Sequence, residues 1–168
     1  NIKENLEPIK TLLAWHKREN ILNPHLLFLS SDYVFSGLKG NYTTKDLPDP
    51  QTKYGLSKYY SELEILRNIT NFCILRVGAI IGEGGKFFDW IYNEIKNHNS
   101  IELYLDYFSP TPIKTLCDAL SLIIERNLKG VLHISGNKRI SKYKFGIQLK
   151  EHLGYSKSIL IKKMKSNN

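Results

Sequence analysis

The sequence predicts an α/β protein built on a doubly wound parallel sheet. Short apolar runs at residues 25–31 and 71–77 are too brief for helices and are typical of buried strands. Longer segments between such runs carry apolar residues at helical spacing. This alternation is typical of parallel βαβ units, in which a helix connects two strands of one sheet.

The elements follow one another along the whole chain. An amphipathic helix is predicted over residues 2–18, and the first buried strand, 25–31, ends in Ser-Ser-Asp. A surface loop rich in Gly, Asn, Thr, Asp and Pro runs from Ser36 to Pro50, and loops of this length are often functional. The remaining predicted elements are a helix over 54–70, a strand over 71–77, a helix over 86–97, a strand over 101–105, a helix over 113–127, a strand over 131–135, a helix over 141–153 and a weak strand near 158–163.

Length and composition favour one soluble domain. The 168 residues are 42% hydrophobic, and no apolar run approaches the ~18 residues that would indicate a membrane span. Cys73 and Cys117 lie in apolar surroundings without the spacing of a disulfide framework. We therefore expect a cytoplasmic protein without a membrane partner.

The charge distribution argues against a nucleic-acid partner. The net charge is +8, but the lysines are scattered and form no basic stripe interleaved with aromatic residues. A positive field suits an anionic small ligand such as a nucleotide equally well. The five histidines lack metal-ligand spacing, so no metal site is predicted. A homodimer remains open.

Two short segments could together carry chemistry. Ser30, Ser31 and Asp32 end a strand, where ligands bind in open α/β sheets. Tyr54 and Lys58 lie one turn apart on one face of the following helix. An ammonium group near a phenol stabilises the phenolate, so the pair can transfer a proton while a serine hydroxyl binds a carbonyl. The hydride for a reduction would have to come from a cofactor.

The Tyr-x-x-x-Lys spacing alone is weak evidence. Tyr92 and Lys96 have the same spacing within a predicted amphipathic helix, and about one such pair is expected by chance in this composition. We interpret that second pair as part of a solvated helix face. Tyr54 differs because a strand ending in Ser-Ser-Asp and a loop precede it.

The order of these motifs resembles that of the extended short-chain dehydrogenase/reductase superfamily, and within it the dTDP-4-dehydrorhamnose reductase family. The segment LSSDYVFSG, residues 29–37, is similar to that family's Ser-Thr-Asp-Tyr-Val-Phe-x-Gly, and YGLSK, residues 54–58, to its Tyr-Gly-x-x-Lys. An acidic, proline-containing loop separates them in both. ILRVGAIIG, SPTPIKTLCDAL and GVLHISG extend the resemblance over nearly the whole chain.

The resemblance implies a Rossmann-like sheet and a reductase activity. Members of that family reduce the 4-keto group of dTDP-4-dehydro-L-rhamnose with NADPH or NADH, and the product dTDP-L-rhamnose enters cell-surface polysaccharides. By resemblance, Ser31 replaces the family's catalytic threonine, Tyr54 is the general acid, and Lys58 binds the nicotinamide ribose. The implied sets are catalytic Ser31, Tyr54 and Lys58; cofactor-binding Ser30, Tyr54, Lys58 and Val77; and substrate-binding Ser31, Asp32, Tyr33, Tyr54 and Ala79.

Two departures from the family pattern matter. Ala79 and Ile81 replace a tryptophan and a tyrosine of the family's sugar pocket, which leaves the sugar open. The glycine-rich turn that holds the cofactor pyrophosphate has no counterpart in this chain. We therefore expect an internal fragment that is inactive alone. In this single domain, residues 1–81 and about 111–135 would form a Rossmann-like portion, and about 82–110 and 136–168 a small substrate-binding portion.

Two other functions stay open. A non-catalytic regulator would resemble the regulatory β subunit of methionine adenosyltransferase, which keeps much of the same motif, and the missing pocket tryptophan favours it slightly. A nucleotide-sugar epimerase or dehydratase is the other alternative. The Asp-Tyr-Val-Phe run argues against the latter, because those enzymes usually follow the serine motif with a different loop.

Overall fold

The computed structural model describes residues 2–21, 24–97, 100–155 and 161–164. The described residues form five α-helices, nine strands and one 3-10 turn at Asp32–Val34. The helices are α1 (Ile2–Arg18), α2 (Lys53–Asn68), α3 (Lys86–Lys96), α4 (Ile113–Glu125) and α5 (Lys142–His152). The strands are β1 (Leu26–Ser31), β2 (Phe72–Val77), β3 (Ile80–Ile81), β4 (Ile101–Tyr104), β5 (Tyr107–Phe108), β6 (Thr111–Pro112), β7 (Gly130–Ile134), β8 (Ile140–Ser141) and β9 (Ile161–Met164).

The predicted α/β fold class is confirmed. All five predicted helices are present, and their ends lie within two residues of the predicted ones. The predicted strands are present as β1, β2, β4 and β7, and β9 overlaps the predicted terminal strand, whose residues 158–160 lie outside the described part. Sequence reasoning missed β3, β5, β6 and β8 because two-residue strands are too short to show a periodicity.

The chain divides into two compact units. The first comprises Asn1–Val77 and Cys117–Ile134, and the second Gly78–Leu116 and Ser135–Asn168. The assignment of a Rossmann-like and a substrate-binding portion to such parts stays a prediction.

The first unit contains a parallel sheet in the order β1-β2-β7. Its register places Ser30 beside Arg76 and Arg76 beside His133, so one row of polar residues crosses all three strands near their carboxyl ends. The next row contains Ser31 and Val77. The strand ends are therefore level, as a ligand crevice at the carboxyl edge requires.

Helices α1 and α2 bury their apolar faces together against this sheet. Ile9 and Leu13 of α1 pack with Ile65 and Ile69 of α2 over Ile74 of β2. The partly buried side chains packed around this cluster are Leu26, Phe28, Phe72 and Val131. The core therefore fixes the position of α2, the helix that carries Tyr54 and Lys58.

The second unit has its own core. Strands β4 and β9 pair in parallel, and Ile91 and Ile95 of α3 are buried with Ile101 and Leu103 of β4. Two further pairs complete its strands, β3 with β6 in parallel and β5 with β8 antiparallel. Helix α5 comes so close to β4 that a Cβ on Gly146 would lie 2.3 Å from the Leu103 side chain. None of the described helices, in either unit, combines the length and the apolar character needed to cross a membrane.

Truncation of Ile65 should destabilise the first unit. This side chain is fully buried, whereas its neighbour Leu66 is 45% exposed. We expect Ile65→Ala to lower the free energy of unfolding by about 2–5 kcal/mol, and Leu66→Ala by less than about 1 kcal/mol. Urea denaturation of both variants measures the difference. Equal losses would show that α2 does not pack on the sheet as described.

Candidate active site

The carboxyl end of β1 presents Ser31 in a fixed local conformation. Its side-chain oxygen accepts a hydrogen bond from the Tyr33 N–H at 3.2 Å and donates one to Asp32 Oδ1 at 3.2 Å. Ser31 thereby caps the 3-10 turn Asp32–Val34, which redirects the chain away from the sheet. The serine is only 7% exposed, so its hydroxyl is held at the strand end.

Helix α2 begins directly beside this turn. Thr52 caps the helix, since its hydroxyl accepts the Gly55 N–H at 3.0 Å. A Cβ on Gly55 would lie 2.1 Å from the main-chain oxygen of Tyr33, a distance that no side chain tolerates. The glycine of the Tyr-Gly pair is therefore needed for the close approach of the turn to the helix.

The aromatic ring of Tyr54 lies against that of Tyr33. The ring centres are 5.9 Å apart and the planes meet at 76°, an edge-to-face contact. Both side chains are about half exposed, Tyr54 at 48% and Tyr33 at 50%. A ligand at the carboxyl edge can therefore reach the phenol groups.

Lys58 places a positive charge beside Tyr54. Its Nζ lies 5.9 Å from the centre of the Tyr54 ring and 5.0 Å from that of Phe28, and it donates a hydrogen bond to the Leu29 main-chain oxygen at 3.0 Å. Burial lowers the pKa of Lys58 from its ordinary value. The ammonium has three N–H donors, which suits binding of sugar hydroxyls in addition to Leu29.

Asp32 is exposed as a residue, yet its carboxyl group is partly shielded from water. This desolvation raises the pKa of Asp32, and the hydrogen bond from Ser31 acts in the opposite direction. The carboxylate lies beside the Ser31 hydroxyl, where it can accept hydrogen bonds from a ligand's hydroxyl groups.

A buried ion pair lies beneath these residues. Glu62 is fully buried one turn after Lys58, and its two oxygens accept hydrogen bonds from Arg76 Nε at 3.0 Å and Nη2 at 2.7 Å. Ser30 donates a third hydrogen bond to Glu62 at 2.5 Å. The ion pair thus connects α2 to both β1 and β2.

Sequence reasoning missed Glu62 and Arg76. The signal was present, because Tyr54, Lys58 and Glu62 follow at four-residue steps and a charged residue interrupts the apolar run FCILRV. The same pattern also fits a solvated glutamate, so only the register of helix against sheet identifies the pair.

The structure gathers most predicted site residues in the first unit. Ser31, Asp32, Tyr33, Tyr54 and Lys58 lie where β1 ends and α2 begins, and Val77 is the buried last residue of β2.

Two predicted residues are placed differently. The Ser30 hydroxyl is engaged by Glu62, which leaves its main chain for the predicted cofactor contact. Ala79 belongs to the second unit, where its main-chain oxygen accepts the Thr111 N–H at 2.7 Å. Both roles stay predictions.

The control pair is solvated as expected. Tyr92 is 36% exposed, Lys96 is exposed, and both lie on the outer face of α3. Its geometry shows that context, and not spacing, distinguishes Tyr54 and Lys58.

A family model described as the RmlD substrate binding domain matches residues 11–167. The chain belongs to this family. The resemblance predicted from the motifs is therefore confirmed for almost the entire chain.

Individual relatives of this RmlD-family chain differ in name. The methionine adenosyltransferase 2 subunit beta of Rattus norvegicus is 29% identical over 143 residues, which cover 76% of this chain and 41% of that protein. The spore coat polysaccharide biosynthesis protein SpsK of Bacillus subtilis (strain 168) is 31% identical over 136 residues, which cover 79% of this chain and 47% of that protein.

A solved structure agrees with the fold. The crystal structure of a hypothetical dTDP-4-dehydrorhamnose reductase from Sulfolobus tokodaii superposes with a TM-score of 0.84 at 28% identity, covering 98% of this chain and 57% of that one. This RmlD-family chain therefore spans about half the length of the proteins it matches.

Removal of one partner of the buried pair should be more damaging than removal of both. Glu62→Leu leaves the Arg76 guanidinium buried without its carboxylate, and we expect a loss of about 3–5 kcal/mol in the free energy of unfolding. The double variant Glu62→Leu/Arg76→Met should recover much of that loss, because no unpaired charge remains. Chemical denaturation of both variants tests this, and additive losses would contradict it.

Proposed function

We propose that this chain carries the proton-transfer part of an NAD(P)-dependent reductase that acts on the 4-keto group of a nucleotide sugar. The observation that supports this most strongly is the half-exposed Tyr54 with the Lys58 ammonium beside its ring, at the carboxyl end of a parallel strand. The proposed reaction converts dTDP-4-dehydro-L-rhamnose to dTDP-L-rhamnose. The polysaccharide role in the name of the Bacillus subtilis relative and the likeness to a hypothetical reductase support this assignment.

Each residue has a distinct role in the proposed reduction. Ser31 donates a hydrogen bond to the carbonyl oxygen and polarises it, and Tyr54 then gives its phenolic proton to that oxygen. Lys58 stabilises the phenolate that remains. Asp32 and Tyr33 flank the sugar and orient it, since the turn they belong to is fixed by Ser31 and by the approach of Gly55.

The residues fit a nicotinamide cofactor. Lys58 offers N–H donors suited to ribose hydroxyls, and Ser30 and Val77 line the ends of adjacent strands. The bound cofactor, NADPH or NADH, would supply the hydride. The positive net charge favours binding of both the dinucleotide and the nucleotide sugar.

A regulatory role is the second candidate. The rat relative is named as a subunit of a methionine adenosyltransferase, and Ala79 stands where the reductases usually have a pocket tryptophan. In that case the same site would bind a nucleotide without turnover. Copurification with a synthetase, together with tight nucleotide binding and no reduction of a keto sugar, would favour this role.

Replacement of Tyr54 tests the proposed acid. In the full natural polypeptide that carries this chain, Tyr54→Phe keeps the ring contact with Tyr33 but removes the proton, so we expect kcat to fall by about 10²–10⁴-fold. The matched control is Tyr92→Phe, which should keep the wild-type rate because Tyr92 lies on an exposed helix face. NADPH oxidation with dTDP-4-dehydro-L-rhamnose measures both. An active Tyr54→Phe variant would eliminate Tyr54 as the acid.

A further inference from the structure

His133 joins the buried ion pair to the long loop 36–50. It lies on β7 in register with Arg76 of β2. Its Nε2 is 3.4 Å from Arg76 Nη1, and its Nδ1 is 3.3 Å from the main-chain oxygen of Tyr42 in the loop. One imidazole ring therefore bridges the interior of the first unit and the segment that precedes α2.

The two neighbours fix the proton position on His133. A guanidinium group can only donate hydrogen bonds, and a carbonyl oxygen can only accept them. Nε2 must therefore accept from Arg76, and Nδ1 must carry the hydrogen that it donates to Tyr42. Only the neutral ring satisfies both contacts, because a protonated ring would point a second N–H at the guanidinium.

Tyr42 is the point at which the middle of the loop docks. Its ring stacks on the buried Phe35 with centres 4.3 Å apart and planes at 10°, and its hydroxyl bonds to Ser36 Oγ at 3.1 Å and to the Lys39 N–H at 3.2 Å. Phe35 also touches the edge of His133, with ring centres 5.6 Å apart. Loss of the His133 contact would therefore loosen a docked cluster and not a single bond.

The base of the loop is held separately. Asp49 accepts the Ser36 N–H at 2.8 Å and donates its own N–H to the Val34 oxygen at 2.9 Å, while Asp46 accepts the Thr43 N–H at 2.7 Å. Hydrogen bonds from Ser36 lower the pKa of Asp49, and those from Lys39 and Thr43 lower the pKa of Asp46. Both carboxylates thus stay ionised where histidine titrates.

We propose that neutral His133 is a positioning residue that docks the loop 36–50 through Tyr42, and that its protonation releases the middle of the loop. The charged groups that face His133 are Arg76 from β2, Glu62 from α2 and Asp46 from the loop. The loop connects the turn carrying Asp32 with the helix carrying Tyr54, so its docking influences both ends of the candidate site.

The sign of the pH dependence follows from the surroundings. Burial, and after it the charge of Arg76, lowers the pKa of His133 below its ordinary value of 6.5 in the docked state, against the opposite effect of Tyr42 and the two carboxylates. The released state keeps the ordinary value. Docking is therefore complete above about pH 6.5, weakens as the pH falls from there towards the lowered value, and levels off below it.

Hydrogen–deuterium exchange between pH 5 and 8 tests this on the full natural polypeptide. After correction for the chemical exchange rate, amides of residues 37–46 should exchange faster below about pH 6.5, by about tenfold for each pKa unit between the two states. His133→Gln supplies one acceptor and one donor without titrating, so its loop should stay protected at every pH. His133→Leu should exchange fast throughout.

The controls separate this local release from other causes. His25→Gln should keep the wild-type profile, because His25 Nε2 donates to the Leu128 oxygen at 3.0 Å in either protonation state. Core amides of Ile65 and Ile69 report global unfolding. If His133→Leu exposes them too, the glutamine variant alone decides. A flat wild-type profile, a pH-dependent His133→Gln profile, or a folded His133→Leu variant with a protected loop would overturn the proposal.

Discussion

The candidate site depends on the buried ion pair between Glu62 and Arg76. Removal of two charges from water costs several kcal/mol per ion, and only close geometry with further hydrogen bonds offsets this cost. Here Arg76 binds both carboxylate oxygens, and Ser30 adds a third hydrogen bond. A pair with such narrow requirements adds little net stability, but it tolerates only one register between α2 and the sheet.

That register sets the positions of the residues that face a ligand. Tyr54, Lys58 and Glu62 are separated by four residues each, so they lie along one face of α2. Glu62 holds the helix to β1 and β2 below, and the contact of Gly55 with the Tyr33 backbone holds its first turn above. Lys58 lies between these two fixed points. A helix anchored twice cannot rotate or slide, so the ammonium stays beside the phenol without any direct bond between them.

Local patterns predicted the elements and the residues around the site, but not the interactions that hold them. The strand end at Ser31 and the helix start at Tyr54 follow from apolar periodicity and from the composition of the loop between them. Strand pairing is a contact between residues far apart in sequence. The alternating pattern therefore could not show that β4 pairs with β9 in a separate sheet, or that His133 lies level with Arg76. Glu62 was missed for the same reason, since helical spacing does not reveal what faces the helix.

The same anchoring explains how this architecture can serve catalysis or ligand binding. Glu62, Arg76 and Ser30 are buried, whereas Tyr54 is half exposed, so the anchor and the reactive surface are made of different side chains. Changes at the surface, such as alanine at position 79 in the second unit, leave the anchor in the first unit intact. A chain that loses turnover therefore keeps a preorganised lysine and tyrosine able to bind a nucleotide. Membership of one family by proteins named as reductases and as regulatory subunits is physically reasonable on this basis, because assembly of the site does not depend on the reaction.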